Sequence, residues 1–205
     1  MKWFMVVLMV LASWSSLAAE PVKKAPDKKV LGLEFGQTKA QVKAAGVEMT
    51  SIGTEEFGVE MFTTKKVPSE IPGFEQYLLV FFDNKLVKVK LIGKTMPNDP
   101  YGSTGQAAFE SLRTSLKKKY AETQEMTTTG LKLFKEPSEF YQCLGYAGCG
   151  MWAVILEGGG RTLVLELLAD GRAGGFLALT IEGSGYETVA NEIKRRKSKA
   201  TEDAL

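Results

Sequence analysis

The chain has 205 residues and carries 26 lysines and arginines against 24 aspartates and glutamates, a formal net charge of +2. This near-neutral balance argues against bulk nucleic-acid binding, which needs a clear basic excess. The chain contains no histidine, so Ser-His-Asp and Cys-His nucleophilic arrangements and the commonest zinc sites are excluded. We expect neither a metal nor a cofactor, and no nucleic-acid partner.

Residues 1–19 have the anatomy of a secretory signal peptide. Lys2 supplies a positive n-region, residues 3–12 are apolar, and small residues provide a cleavage site after Ala18 or Ala19. The apolar stretch is interrupted by serines and is shorter than the roughly 20 residues that a spanning helix needs. We therefore expect a soluble mature protein without a transmembrane segment, located in the periplasm or secreted.

The next segment, residues 20–30, combines lysines and prolines with few large apolar side chains. Such a composition buries too little apolar surface to fold, so we expect a flexible leader. The α+β domain is predicted to span residues 31–190, with lobes over about 31–97 and 98–190.

The first lobe begins with a short helix. Thr38 and Gln41 form a capping box, and Gly46 follows as a C-terminal stop. Apolar runs and alternating patterns then predict three strands, over residues 57–67, 74–82 and 86–95.

The second lobe begins with a helix near Ser103 or Thr104. Its apolar side chains recur every three or four residues and predict a buried stripe, formed by Phe109, Leu112, Leu116 and Tyr120. Further apolar segments, predicted as strands, cover residues 131–134, 151–157, 163–168 and 176–182.

A third helix is predicted from a capping box formed by Ser184 and Glu187. Its end runs into a charged segment, so residues 191–205 are expected to be a mobile tail. Because the second lobe repeats the element order of the first, we predict two helix-plus-antiparallel-strand units in tandem. Their strands form a continuous or paired antiparallel sheet, with helices packed on one face.

The two cysteines, Cys143 and Cys149, lie six residues apart. In an oxidising compartment, an even cysteine count at close spacing predicts a structural disulfide. Redox-active pairs usually have two intervening residues rather than five. A bridge here would staple a loop that carries Tyr146, and tyrosine is enriched at protein interfaces.

Other side chains outside the predicted core are candidates for binding. Trp152 begins a strand beside the cysteine loop, and Tyr101 lies in a loop. Basic residues near the C terminus are candidates for contact with an anionic surface. The alternative is a solvated helix end that complements the helix dipole. These basic residues are Lys194, Arg195, Arg196 and Lys197.

Four carboxylates lie on or beside predicted strands: Glu157, Glu166, Asp170 and Glu182. A glycoside hydrolase needs two carboxylates held across a cleft, but nothing in their spacing selects a pair. Solvated positions on an open sheet face are the simpler interpretation. We expect a protein that is not an enzyme and assign no catalytic residue.

Residues 32–42, GLEFGQTKAQV, combine a glycine and a threonine before a helix with an apolar residue four positions on. With the element order, this segment resembles β-lactamase-inhibitor-protein-like domains, and each half resembles the small domain of outer-membrane assembly lipoproteins. The resemblance implies an α+β layout and a binding role in the cell envelope. The chain lacks the lipid-attachment cysteine of those lipoproteins, and no functional residue transfers. An uncharacterised periplasmic family that shares only the scaffold is the alternative.

Three hypotheses about function follow. The first is an exported, non-catalytic binding or accessory protein that recognises another envelope protein. The second is a small-ligand or lipid-binding protein that uses the sheet face, suggested by the apolar strands 77–82 and 163–168. The third is a carboxylate-based hydrolase of cell-wall glycans.

Overall fold

The computed structural model describes residues 29–204 of the chain. The predicted signal peptide and nearly all of the predicted leader lie outside the described residues. The last two leader residues are an exception, because Lys29–Val30 form strand β1, which pairs with β2 (Leu33–Glu34). Val30 is buried in the core, so the folded domain begins slightly earlier than the composition predicts.

The main sheet has eight strands, and every neighbouring pair is antiparallel. Its spatial order is β3-β4-β5-β6-β10-β9-β8-β7. Each half of the chain contributes four consecutive strands, and the last strands of the two halves pair at the centre. The predicted α+β fold with a continuous antiparallel sheet is confirmed. The strands are β3 (Thr50–Glu56), β4 (Val59–Thr64), β5 (Phe74–Phe82), β6 (Lys85–Gly93), β7 (Ala121–Thr128), β8 (Met151–Gly158), β9 (Arg161–Ala169) and β10 (Gly175–Glu182).

Four α-helices accompany the sheet: α1 (Lys39–Ala44), α2 (Ser103–Lys117), α3 (Phe140–Leu144) and α4 (Tyr186–Glu202). The capping box of Thr38 and Gln41 at α1 is confirmed. The predicted box at Ser184 is wrong, because α4 begins after Gly185, which has φ +85° and makes no side-chain cap. A glycine in this left-handed conformation turns the chain sharply into the helix.

The core lies between the sheet and helices α1 to α3. Strand register places Leu165, Leu179, Leu91 and Tyr77 in one row across four strands, and all four side chains are buried. Phe109 of α2 is fully buried above this face, and the rest of the predicted stripe packs around the core. The amphipathic prediction for α2 is confirmed.

Two strands of the main sheet were not predicted from the sequence patterns. Strands β3 and β7 form the two edges of the sheet, and their side chains are mostly exposed and polar. Periodicity arises from one buried face, so an edge strand with little burial leaves no such pattern. The opposite error occurs at residues 131–134, which are predicted as a strand and form none.

Helix α4 contacts the opposite side of the sheet. Lys88 pairs in register with Val80 and Glu182, on the face turned away from α2. Its Nζ lies 4.0 Å from the centre of the Tyr186 ring. The helix continues to Glu202, so most of the segment that we expected to be a tail is helical.

Candidate binding surface on the stapled insertion

Residues 129–150 interrupt the hairpin between β7 and β8, and we call them the stapled insertion. Cys143 and Cys149 are both buried within it, with their Cα atoms 5.1 Å apart. They form the predicted disulfide bond. The bridge joins helix α3 to the residues that lead into β8, so the insertion closes on itself at its base.

Backbone hydrogen bonds tie the two limbs of the insertion together. The Leu131 N–H donates to the Cys149 carbonyl at 2.9 Å, and the Gly130 N–H donates to the Cys143 sulfur at 3.1 Å. The Cys149 N–H donates to the Tyr146 carbonyl at 3.0 Å. A loop held by both a covalent bridge and internal hydrogen bonds loses little further freedom when it binds, which favours affinity.

The insertion exposes a group of large apolar side chains. Seven such side chains are exposed in the described part of the chain, and four of them lie at or directly beside the insertion. We call these four the insertion patch: Leu131 (66% exposed), Leu133 (49%), Tyr146 (47%) and Met151 (50%). Clustered apolar exposure on a small protein is typical of an interaction surface.

The local backbone turns this segment outward. Phe134 adopts a left-handed conformation with φ +55°, which costs a non-glycine residue about 1–2 kcal/mol. Its ring packs edge-on against Tyr146, with the ring centres 5.9 Å apart. This packing anchors the segment, while Leu131 and Leu133 remain in solvent. The segment 131–134 therefore presents its leucines instead of burying them in a strand.

Two glutamates and two lysines of the insertion lie close to the patch in the sequence. Glu136 and Glu139 cap the turn Pro137–Glu139, each accepting a hydrogen bond from the other's backbone N–H. Lys132 and Lys135 are exposed and form no ion pair within residues 29–204. The formal charges of these two glutamates and two lysines cancel, so the surroundings of the apolar patch are polar without a net charge.

Trp152, a predicted binding residue, is half-buried and packs against the core. Its ring packs edge-on against Phe140 of α3 and Phe109 of α2, at centre distances of 5.3 and 6.5 Å. Its indole N–H is buried and has no hydrogen-bond partner among the described residues. Trp152 thus packs against helix α3 of the insertion and is not part of the exposed patch. Tyr101 is exposed in the turn before α2, outside the stapled insertion.

A second support joins the insertion to α2. The Tyr141 hydroxyl donates to Asp99 Oδ2 at 3.1 Å, and the Gly105 N–H at the start of α2 donates to the same oxygen at 2.9 Å. Burial, together with this nearby carboxylate, raises the pKa of Tyr141. The sequence patterns did not select Asp99. Asp99 could have been identified from the sequence, because an aspartate shortly before a helix start is a capping signal.

The basic residues of α4 are partly engaged within the protein. Arg196 forms an ion pair with Asp83 at 2.7 Å and lies over the Phe82 ring. Arg195 pairs with Glu192 at 2.7 Å. Lys194 and Lys197 are exposed, although Lys197 Nζ lies 5.7 Å from the centre of the Phe57 ring. The four residues therefore do not form one uniform cationic surface.

The four candidate carboxylates do not meet in a cleft. Glu182 pairs with Lys88 at 2.7 Å, and Glu166 pairs with Lys90 at 3.4 Å. Asp170 accepts a hydrogen bond from the Thr95 hydroxyl at 2.6 Å. Glu157 is exposed on β8. Three of the four are thus engaged with neighbouring side chains, as is typical of structural positions.

Within residues 29–204, no group of three or more acidic, histidine or cysteine side chains is arranged to hold a metal ion. None of the described helices is long and apolar enough to cross a membrane. Comparison with protein-family models, with curated proteins and with solved structures finds no match for the chain.

Proposed function

We propose that this chain is an exported, non-catalytic binding protein that recognises another protein of the cell envelope through the insertion patch. The observation that carries the proposal is the concentration of exposed large apolar side chains on a stapled loop. Apolar and aromatic anchors, surrounded by polar residues, supply most of the binding energy at protein interfaces.

Two features support export. The N-terminal residues have the charge, apolar run and small-residue site of a signal peptide. The buried disulfide between Cys143 and Cys149 is typical of proteins that fold in an oxidising compartment. Fractionation of cells that express the full chain tests this part of the proposal. We expect a periplasmic or secreted product shortened by about nineteen residues.

Site-specific crosslinking in intact cells tests the binding surface. A photo-crosslinking amino acid at Leu133 is expected to trap one envelope protein, whose binding is then measured with purified components. A double variant, Leu131→Ser/Leu133→Ser, is expected to weaken that binding at least tenfold. Both side chains are exposed, and the variant keeps Tyr146 and its packing against Phe134, so it removes anchors without loosening the loop.

A matched control uses exposed apolar residues elsewhere. Ile52→Ser/Met61→Ser removes two such side chains from the first half of the sheet, and we expect it to change the affinity by less than twofold. Equal weakening by both variants would contradict the proposed surface. So would a crosslinker at Ile52 that traps the same partner as efficiently as one at Leu133.

A further inference from the structure

A cleft of about 370 Å³ lies between α2 and the ends of the central strands. Its volume is near the lower end of the range for small-molecule sites. It opens on the same side of the sheet as α2 and is separate from the insertion patch. The apolar strands that suggested a ligand from sequence, 77–82 and 163–168, place one face in the core, so this cleft is the more accessible apolar space.

Gly93, which has no side chain, lies at the floor of the cleft. Gly93 ends β6 between Phe74 of β5 and Leu177 of β10. A Cβ at Gly93 would lie 3.0 Å from the Leu177 carbonyl oxygen, tighter than ordinary van der Waals contact. The close approach of these strands therefore favours glycine, and the missing side chain leaves a depression between two apolar walls.

The roof is the part of α2 that carries small side chains toward the cleft: Ala108, Ser111 and Ser115. The Ser115 hydroxyl donates to the Ser111 carbonyl within the helix at 3.0 Å. Its polar atom is thus satisfied without a ligand. Leu112 and Met96 complete a mostly apolar lining.

The charge at the cleft comes from one lysine. Of the described residues that line it, Lys94 alone is charged. Lys94 is exposed and has no ion-pair partner within residues 29–204, and its backbone N–H is held by the Gly73 carbonyl at 3.0 Å. An unpaired cation at the end of an apolar cleft complements a ligand with an apolar body and one anionic end.

We propose that the cleft binds one long-chain fatty acid, with its carboxylate at Lys94 and its acyl chain along the depression over Gly93. Transfer of the acyl chain from water into this mostly apolar cleft is favourable, because it buries methylene groups. The small side chains of α2 leave the room that the acyl chain occupies. This site is independent of the protein-binding surface proposed above.

The test is titration of the purified protein with the fluorescent fatty acid cis-parinaric acid. We expect saturable binding of one molecule per chain that is displaced by oleate. Ala108→Phe fills the roof and is expected to weaken binding at least tenfold. Lys94→Glu is expected to weaken binding of the acid at least fivefold, and binding of its neutral methyl ester by less than twofold.

Thr114→Phe is the matched control, because Thr114 is exposed on α2 and does not line the cleft. We expect it to bind as the unchanged protein does. If Ala108→Phe fails to fold in thermal unfolding, Ser111→Leu replaces it and is expected to weaken binding. Absence of saturable binding, or equal loss in the Thr114→Phe variant, would overturn the proposal. So would equal effects of Lys94→Glu on the acid and its ester.

Discussion

The two halves of the molecule share one plan and differ at one connection. Each half has a helix followed by four antiparallel strands, and the final strands, β6 and β10, join the halves. In the first half, Phe57 and Gly58 alone connect the first two strands, whereas the second half has residues 129–150 at the equivalent place. The scaffold therefore accepts a large addition at a hairpin turn, and the addition carries three of the seven large apolar side chains that are exposed in residues 29–204.

The helices differ in how much of the sheet they cover. Helix α1 has six residues and buries Val42, whereas α2 has fifteen residues and buries Phe109 against the second half. The first half is completed by other elements, because strands β1 and β2 bury Val30 and Leu33. The second half thus depends on one long helix together with the short helix α3, which buries Phe140 and Tyr141, and the first half depends on several short segments.

This difference is tested by truncating one core side chain in each half. We expect Phe109→Ala to lower the free energy of unfolding by about 3–5 kcal/mol, because it leaves a large cavity beneath α2. Val42→Ala is expected to cost about 2 kcal/mol, since it removes two buried carbon groups. Urea unfolding measures both. Equal losses would mean that α1 supports its half as strongly as α2 supports the other.

The start of each helix offers a second test. Thr38 caps α1 locally, whereas the start of α2 depends on Asp99, which also accepts the Tyr141 hydroxyl. We expect Thr38→Ala to cost about 1 kcal/mol. Asp99→Ala should cost about 2–3 kcal/mol, because it leaves two buried donors without an acceptor.

Asp99→Asn serves as the control for this comparison, because an amide oxygen in the place of Oδ2 can still accept both hydrogen bonds but without the negative charge that strengthens them. An intermediate loss of stability in urea unfolding is expected. If Asp99→Ala costs no more than Thr38→Ala, the Gly105 N–H and the Tyr141 hydroxyl must find other acceptors. Helix α2 would then not depend on the insertion for its start.

The same comparison explains which parts of the fold are visible in the sequence. Helix α2 and strands β5, β6, β9 and β10 were predictable, because each buries one face and therefore shows periodicity. The edge strands β3 and β7 were not, since exposure on both faces leaves mostly polar residues and no alternating apolar pattern. The end of the last helix was also predicted too early, near residue 191, whereas α4 continues to Glu202. Arg196 gains a distant partner in Asp83, which local sequence does not reveal.

The candidate surface was partly predictable for a similar reason. The cysteine spacing and Tyr146 indicated a stapled loop with an exposed aromatic ring. Leu131 and Leu133 were expected in a strand, because an apolar run does not reveal on its own whether it faces the core or solvent. Trp152 is the opposite case, because it was expected outside the core and is half-buried against it. Its burial depends on Phe109 and Phe140, which approach it only in the folded chain.

The smallest expected effect concerns α4, which covers the Phe57–Gly58 turn in place of an insertion. Arg196 donates to Asp83, to Glu192 and to the Phe57 carbonyl. Its hydrogen bond lowers the pKa of Asp83, and hydrogen bonds from Arg195 and Arg196 lower the pKa of Glu192 to about 2. A carboxylate with a lowered folded-state pKa stabilises the docked helix only while it is deprotonated.

Docking of α4 should therefore be complete above about pH 4, the usual range of unfolded-state carboxyl pKa values. It should weaken as the pH falls below that range and Asp83 becomes protonated, because Asp83 is the carboxylate outside α4 that pairs with Arg196. Glu192 lies on α4 itself, so its protonation removes only pairs within the helix. The probe is the protection factor of the Asp83 amide, whose N–H donates to the Gly58 carbonyl at 2.9 Å. This factor divides the intrinsic exchange rate at each pH by the observed rate, and it should fall only a few-fold over this interval, since the charged groups are exposed and well screened. Arg196→Gln should lower the protection factor at neutral pH and remove its pH dependence, whereas Arg195→Gln should keep the Asp83 contribution. An unchanged profile in Arg196→Gln would show that the apolar contacts of α4 hold it in place, and that the first half closes its hairpin turn without electrostatic help.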